Sequence, residues 1–138
     1  MKFQIIKADI TKTLDIYYIA HCVSCDCAMG AGVALAIKNK FPIVKTAIEK
    51  FPNIGDVIQT GRIINLFTKQ KYFHKPTIQD FIQTIYNFKE FCIKNNIKYL
   101  AIPKLGCGLD KLDWKDVEPF LREMFEDIDI EILVCVLD

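Results

Sequence analysis

Two glycine-rich loops, each following an apolar segment of strand length, hold four of the six glycines in this chain. The first loop is Met29–Ala34 after Tyr17–Ala20, and the second is Lys104–Asp110 after Tyr99–Pro103. Glycine has no Cβ, so its backbone amides can approach an anion closely and its φ angle can be positive. If both segments are parallel strands of one sheet, the loops lie at the carboxyl edge, where ligands bind. The pattern therefore predicts a diphosphate site that is gripped from two sides.

The apolar pattern alternates between segments typical of strands and segments typical of helices. Strands are predicted at Phe3–Lys7, Ile16–His21, Val57–Thr60, Ile63–Thr68, Tyr99–Pro103 and Glu131–Leu137. Helices are predicted over Val33–Lys40, around Val44, Ile48 and Phe51 after the break at Pro42, and from a capping box at Thr77–Asp80 to Asn95–Asn96. This alternation predicts an α/β fold with a mostly parallel sheet, to which the Gly61–Arg62 turn adds one antiparallel pair.

A last helix is predicted to begin between Asp113 and Asp116, with Leu121 on its inward face. Pro119 conflicts with a start at Asp113, because a proline past the first turn removes a helical hydrogen bond. We therefore expect a loose turn at Trp114, with the regular helix starting later.

Length and charge limit the classes of function. The chain has 138 residues, of which 51% are hydrophobic, so we expect a single globular domain over residues 1–138 and a monomer. A formal net charge of +1 gives no general attraction to nucleic acid or to a membrane surface, and phosphate recognition must therefore be local. The first residues lack the apolar run of a signal peptide, and no segment reaches the roughly 18 apolar residues of a membrane span.

The six cysteines fall at mixed strand, loop and helix positions, which favours reduced thiols and a cytoplasmic location, or a nuclear one if the source is eukaryotic. Cys22, Cys25 and Cys27 suggest a metal site with His21, but structural zinc usually takes four ligands in paired clusters. We expect no metal and no other cofactor. Cys107 has no histidine near it in the sequence and is interpreted as a structural residue of a tight loop.

Three motifs carry a resemblance to a known family: Ala20–Ala34, Thr68–Lys69 with His74–Thr77, and Ile102–Trp114. Their order and spacing are similar to those of the macrodomains, which bind ADP-ribose, and in particular to the terminal ADP-ribose protein glycohydrolase branch. The similarity runs from Lys7–Ile10 to the final strand. It implies a three-layer α/β/α fold around a central mixed, mostly parallel sheet.

The resemblance implies that ADP-ribose lies along the two loops. Asp9 would accept a hydrogen bond from the adenine amino group, although the sequence alone favours a cap aspartate before Thr11. Most other macrodomains carry asparagines near the distal ribose, whereas this chain has His21, Ser24 and Asp26, and this departure defines the branch. The implied ligand-binding residues are Asp9, Ile10, His21, Ser24, Met29, Gly30, Ala31, Gly32, Val33, Thr68, Pro103, Leu105, Gly106, Cys107, Gly108 and Leu109.

The resemblance further implies a hydrolase that removes terminal ADP-ribose from modified acidic side chains. Lys69 would attack the anomeric carbon of the distal ribose, because a neutral amine forms a Schiff base with an opened sugar aldehyde. Asp110 would be the partner carboxylate that transfers protons and helps to release the sugar. Taken alone, Lys69 would be a solvated loop lysine and Asp110 a turn residue, and only the match of both positions favours catalysis.

Other functions stay open at this point. A non-catalytic reader would bind ADP-ribose in the same pocket without turnover. ADP-ribosylated DNA is a further substrate, since Lys69–Lys75 mixes basic and aromatic side chains that can contact a single strand, but the nearly neutral chain favours ADP-ribosylated proteins as partners. O-acetyl-ADP-ribose and ADP-ribose 1''-phosphate are small-molecule alternatives.

Overall fold

Parallel pairing organises the sheet at the centre of the structure, a computed structural model that describes residues 1–108 and 110–137. The strands are β1 (Lys2–Lys7), β2 (Tyr18–Ser24), β3 (Val57–Thr60), β4 (Ile63–Lys69), β5 (Tyr99–Ile102) and β6 (Glu131–Val136). Their order in the sheet is β1-β6-β5-β2-β4-β3. All neighbours are parallel except β3 and β4, which form the antiparallel pair predicted at the Gly61–Arg62 turn. The mixed, mostly parallel sheet is thus confirmed.

Helices cover both faces of this sheet. The α-helices are α1 (Gly32–Lys40), α2 (Ile78–Lys94) and α3 (Trp114–Phe125), and a 3₁₀ helix spans Pro42–Lys50. Phe88 of α2 and Leu121 of α3 share a buried cluster with Leu100 of the sheet, whereas Ile37 of α1 shares a second cluster with Ile19. The two clusters lie on opposite faces of the sheet, which confirms the three-layer α/β/α arrangement. Within the described ranges, no helix is both long and apolar enough to span a membrane.

The second strand lies further along the chain than its apolar pattern predicts. Ile16 is 58% exposed and precedes the strand, which continues past His21 to Ser24. The extension follows from tertiary pairing, because β2 is bonded to β4 as far as Ser24 opposite Lys69. The predicted end at His21 is therefore wrong, and the histidine lies in the middle of the strand.

The last helix begins earlier than expected. The Asp113 side chain accepts a hydrogen bond of 3.1 Å from the Lys115 N–H, so Asp113 is the N-cap and the helix begins at Trp114 with Pro119 inside it. The expected loose turn at Trp114 is wrong. Pro119 cannot donate to the Lys115 carbonyl, but both residues are exposed, so water can take that bond. The apolar face that includes the buried Leu121 stabilises the helix despite the missing bond.

The segment after Pro42 is a 3₁₀ helix rather than an α-helix. Its buried residues Val44 and Ala47 are three positions apart, which matches three residues per turn. Ile48 and Phe51, which the sequence placed on the same helical stripe as Val44, are 47% and 85% exposed. The predicted α-helical spacing is therefore wrong for this segment.

Candidate active site

A cleft of about 730 Å³ opens at the carboxyl ends of β2, β5 and β6. Because β5 and β2 are parallel neighbours, the loops that follow them lie beside each other, and both glycine-rich loops line the cleft. Its size falls within the range of small-molecule and cofactor sites.

Lys69 and Asp110 form an ion pair at one end of this cleft. The Lys69 Nζ donates a hydrogen bond of 2.6 Å to Asp110 Oδ1, and the two side chains are only 11% and 10% exposed. Lys69 ends β4 and Asp110 follows β5, so the contact joins the two strands that flank β2. A paired amine and carboxylate, largely shielded from water, can exchange a proton directly.

The cysteines of the cleft wall are poorly suited to act as nucleophiles. Burial raises the pKa of Cys22, and the nearby Asp110 carboxylate raises it further. Burial also raises the pKa of Cys107 to about 11, and its thiol donates a hydrogen bond of 3.3 Å to the Leu105 carbonyl. Both thiols therefore stay protonated near neutral pH and are poor nucleophiles.

The first loop approaches the cleft through left-handed backbone. Met29 and Gly32 have φ angles of 48° and 61°, and the wall includes Gly30, Ala31 and the first turn of α1. No side chain of the described chain caps the N-terminus of α1 at Ala31. The first N–H groups of this nine-residue helix therefore face the cleft without a capping acceptor, which is the arrangement that binds phosphate.

The second loop is fixed by a close approach at Gly106. Its φ angle is 74°, and a Cβ built there would lie 2.8 Å from Leu112 Cδ1 and 2.9 Å from Phe81 Cε1. Gly108 differs, since a Cβ there would meet nothing within 4 Å. Gly106 is thus required by packing against α2, whereas Gly108 leaves open space.

His21 is a buried neutral histidine in the cleft wall. Asn65 donates through Nδ2 to the Ile58 carbonyl and to the Thr60 hydroxyl, both at 2.9 Å, which fixes its Oδ1 as the acceptor. His21 Nε2 must therefore donate the 2.8 Å bond to Asn65, and Nδ1 carries a lone pair. Burial lowers the pKa of His21 to about 4, although the bond to Asn65 partly opposes this shift.

The structure brings most of the predicted site residues together and leaves four outside the described wall. Asp9 caps the 3₁₀ helix Ile10–Lys12. Ile10 is 6% exposed and belongs to the buried cluster under α1, which contains Ile37 and Ile19. Thr68 is fully buried. Leu109 lies outside the described residues. The predicted residues that line the cleft are His21, Ser24, Met29, Gly30, Ala31, Gly32, Val33, Lys69, Pro103, Leu105, Gly106, Cys107, Gly108 and Asp110.

Sequence reasoning missed part of the wall, which also includes Cys22, Val23, Ala28, Ala34, Tyr72, Lys104, Cys135, Val136 and Leu137. The end of β6 belongs to the cleft because β6 lies next to β5 in the sheet, and no local pattern reveals that order. Tyr72 is three residues from Lys69, and this proximity was the available signal.

The described residues contain no group of three or more histidine, cysteine, aspartate or glutamate side chains placed to hold a metal ion. Cys25 and Cys27 are buried in the cluster under α1. Cys22 packs against the cluster on the opposite face of the sheet, so the three cysteines of the considered metal site do not converge.

Known proteins resemble this chain in sequence and in fold. No family model matches it. It is 38% identical over 136 residues to the Homo sapiens protein named ADP-ribose glycohydrolase OARD1, and the match covers 96% of this chain and 90% of that protein. It is 31% identical over 135 residues to the Mycobacterium tuberculosis protein named DNA ADP-ribosyl glycohydrolase, covering 87% of this chain and 38% of that protein. The solved macrodomain of Mycobacterium tuberculosis DarG has a TM-score of 0.85 at 28% identity, with 96% of each chain covered.

Gly106→Ala should destabilise the protein strongly. The left-handed φ and the contacts with Leu112 and Phe81 predict a loss of about 2–4 kcal/mol in the free energy of unfolding, measured by urea titration. Gly108→Ala is the matched control in the same loop, with an expected change within about 0.5 kcal/mol. Equal losses in the two variants would contradict the packing role of Gly106.

Stability should depend on His21 below pH 6.5. The pKa is about 4 in the folded protein and 6.5 in the unfolded chain, so the unfolded state binds more protons between these values. The contribution of His21 to the free energy of unfolding is thus fully present above pH 6.5. The free energy of unfolding should fall by up to about 3 kcal/mol as the pH drops to 4. The free energy of unfolding, measured by urea titration across this range, should depend less steeply on pH for His21→Gln than for the wild type. The same pH dependence in His21→Gln and in the wild type would contradict the lowered pKa of His21.

Proposed function

Because the chain belongs to the macrodomain family, in the branch of the ADP-ribose glycohydrolases, we propose that it releases ADP-ribose from modified acidic side chains through a covalent step on Lys69. Membership of this branch makes it an ADP-ribose-binding hydrolase. The lysine step goes further, and the observation that carries it is the 2.6 Å contact between Lys69 Nζ and Asp110 inside the cleft.

The ligand is proposed to lie along the cleft with its diphosphate between the two loops. The uncapped N–H groups at the start of α1 attract the negative charge from one side, and the loop around Gly106 encloses it from the other. The distal ribose then reaches the Lys69 end of the cleft.

The adenine ring is proposed to lie at the opposite end, near the ends of β1 and β6. The Thr11 N–H and hydroxyl donate to Asp9 Oδ1 at 2.9 and 2.7 Å, as the capping interpretation predicts. The bond from the Thr11 hydroxyl lowers the pKa of Asp9, so this residue is a carboxylate whose Oδ2 can accept from the adenine amino group. The capping role and the ligand role are therefore compatible.

The proposed reaction begins with transfer of a proton from the Lys69 ammonium to Asp110. The neutral amine attacks the anomeric carbon, the bond from that carbon to the ester oxygen breaks, and the protein carboxylate leaves with the bonding electrons and takes the proton from Asp110. As the sugar opens, the attacking nitrogen passes one of its protons to the ring oxygen, which gives a Schiff base between the anomeric carbon and Lys69 and leaves Asp110 ionised. Water adds to this carbon with Asp110 as the base, and the departing amine regenerates Lys69 with release of ADP-ribose.

Lys69→Ala should lower kcat/KM on an ester-linked ADP-ribosylated protein by at least about 1000-fold, because the attacking atom is lost. Borohydride reduction of the wild type with ADP-ribose should trap an adduct that mass spectrometry maps to Lys69. Asp110→Ala should retain the adduct longer, because its hydrolysis loses the base.

Lys71→Ala is the matched control, since Lys71 is an exposed lysine two residues away that does not line the cleft. It should keep wild-type turnover. A Lys69→Ala variant as active as the wild type, or an adduct on another residue, would refute the covalent step. If the wild type binds ADP-ribose in calorimetry but does not turn over the substrate, the protein is a non-catalytic reader of ADP-ribose.

ADP-ribosylated single-stranded DNA is a second candidate substrate, and an aromatic pair at the cleft mouth favours it. Tyr72 lines the cleft and is 64% exposed, and its ring lies edge to face with Phe73 at a centroid distance of 5.3 Å. Exposed Lys71 and Lys75 flank the pair. Aromatic rings beside cations can stack on and neutralise a single strand. The protein ester remains the favoured substrate because the chain as a whole is nearly neutral.

Turnover on a protein ester and on an ADP-ribosylated oligonucleotide should separate these substrates. We expect the higher kcat/KM for the protein, with less than a threefold change for it in Tyr72→Ala. Since stacking contributes about 1–3 kcal/mol per base, the same variant should lose about tenfold or more on the oligonucleotide. A wild-type preference for the oligonucleotide would reverse the order of the two candidates. Ile78→Ala, an exposed apolar residue outside the cleft wall, is the control.

A further inference from the structure

We propose that the Asp26 carboxylate is a positioning residue that holds the Lys69-bearing segment and the first glycine-rich loop in a fixed relation to each other. The contacts of Asp26 stand independently of the proposed function, and their effect on catalysis rests on it. Asp26 follows β2 directly and does not itself line the cleft.

One carboxylate joins three parts of the cleft wall. Asp26 Oδ1 accepts a short hydrogen bond from the Ser24 hydroxyl and a 3.2 Å bond from the Ala28 N–H. Asp26 Oδ2 accepts a 3.1 Å bond from the Tyr72 N–H. Ser24, Ala28 and Tyr72 all line the cleft. Ser24 ends β2, Ala28 directly precedes the first loop, and Tyr72 lies in the segment after Lys69.

The contacts of Asp26 lie where the regular hydrogen bonding between β2 and β4 is interrupted. The pairing of β2 with β4 changes register between Val23 and Ser24, directly before Ser24 pairs with Lys69. Past this point two backbone bonds continue the connection, from Cys25 N to Lys69 O at 2.9 Å and from Asp26 N to Gln70 O at 3.2 Å. The side chain of Asp26 adds the third link, so the chain on both sides of this irregularity is held close to Lys69.

The same contacts determine what Ser24 offers to a ligand. Its single hydroxyl proton is directed to Asp26, so its oxygen presents only lone pairs to the cleft. A sugar hydroxyl must therefore donate to Ser24. Burial raises the pKa of Asp26, but the hydrogen bonds from Ser24, Tyr72 and Ala28 together lower it below its usual value, and the acceptor stays ionised.

Asp26→Asn separates the contacts of Oδ1, to Ser24 and Ala28, from the contact of Oδ2 with Tyr72. The amide oxygen keeps two bonds if it takes the place of Oδ1, and the amide nitrogen then faces the Tyr72 N–H, which has nothing to donate to. The variant should therefore release the Lys69-bearing segment and leave the first loop in place. Since small displacements of a reacting group cost up to about 100-fold, kcat should fall about 10- to 100-fold, while the calorimetric Kd for ADP-ribose changes less than threefold. Asp26→Ala removes all three bonds and should impair both kcat and Kd.

Asp56→Asn is the matched control. The Asp56 carboxylate accepts a 2.8 Å bond from the Asn53 N–H in a turn outside the cleft wall. The amide oxygen of Asp56→Asn can keep this bond, so the variant makes the same change of charge outside the cleft and should keep the wild-type kcat. In a Lys69→Ala background, Asp26→Asn should cause no further loss of turnover, because the group that it positions is absent. Urea titration of each variant reports any loss of folding separately.

The outcomes distinguish this inference from the proposed function. Wild-type turnover in Lys69→Ala would overturn the proposed function, whereas an inactive Lys69→Ala together with a fully active Asp26→Asn would overturn this inference alone. Equal losses in kcat and in affinity for Asp26→Asn would also overturn it. If the variants do not fold, hydrogen exchange of the wild type decides: the Tyr72 amide should exchange at least tenfold more slowly than the Phe73 amide, and equal rates would overturn the contact.

Discussion

Parallel pairing of β2 with both β4 and β5 is the constraint on which the cleft depends. Parallel strands end at the same edge of the sheet, so three separate pieces of chain after β2, β4 and β5 must meet there. Lys69 is the last residue of β4 and Asp110 follows β5, and the two are 41 residues apart in the chain. A different strand order would keep every motif and destroy the contact between them.

The Lys69–Asp110 pair is costly for the stability of the fold, because both charges are largely removed from water. Moving two charges out of water is unfavourable, and the attraction in such a site offsets that penalty only when the geometry is good. An apolar pair of similar volume would fill the same space without the penalty. The presence of a shielded ion pair at the edge of the cleft is therefore better explained by chemistry than by stability, and it agrees with the proposed exchange of a proton between the two groups.

Local signals determined most of the fold, and tertiary contacts determined the parts that local signals missed. The cap at Thr77 and the broad apolar stripe of Ile78–Lys94 predicted α2 within one or two residues, because that helix is specified by its own sequence. The end of β2 at Ser24 depends on its partner strand, and the start of α3 depends on how much apolar surface the helix buries beyond Pro119. For the site, the glycines, Lys69 and Asp110 were visible as motifs. The contribution of β6 and the contacts of Asp26 arise from strand order and from an irregular register, which spacing in the sequence does not encode.

The two walls of the cleft differ in how they are supported. Gly106 lies directly against Phe81 of α2, so the second loop cannot shift unless a packed helix moves with it. At Gly30, in the first loop, a Cβ would meet nothing within 4 Å. A side chain introduced at Gly30 would therefore take up space in the cleft without displacing packed residues, whereas one introduced at Gly106 would first have to displace Phe81 and Leu112.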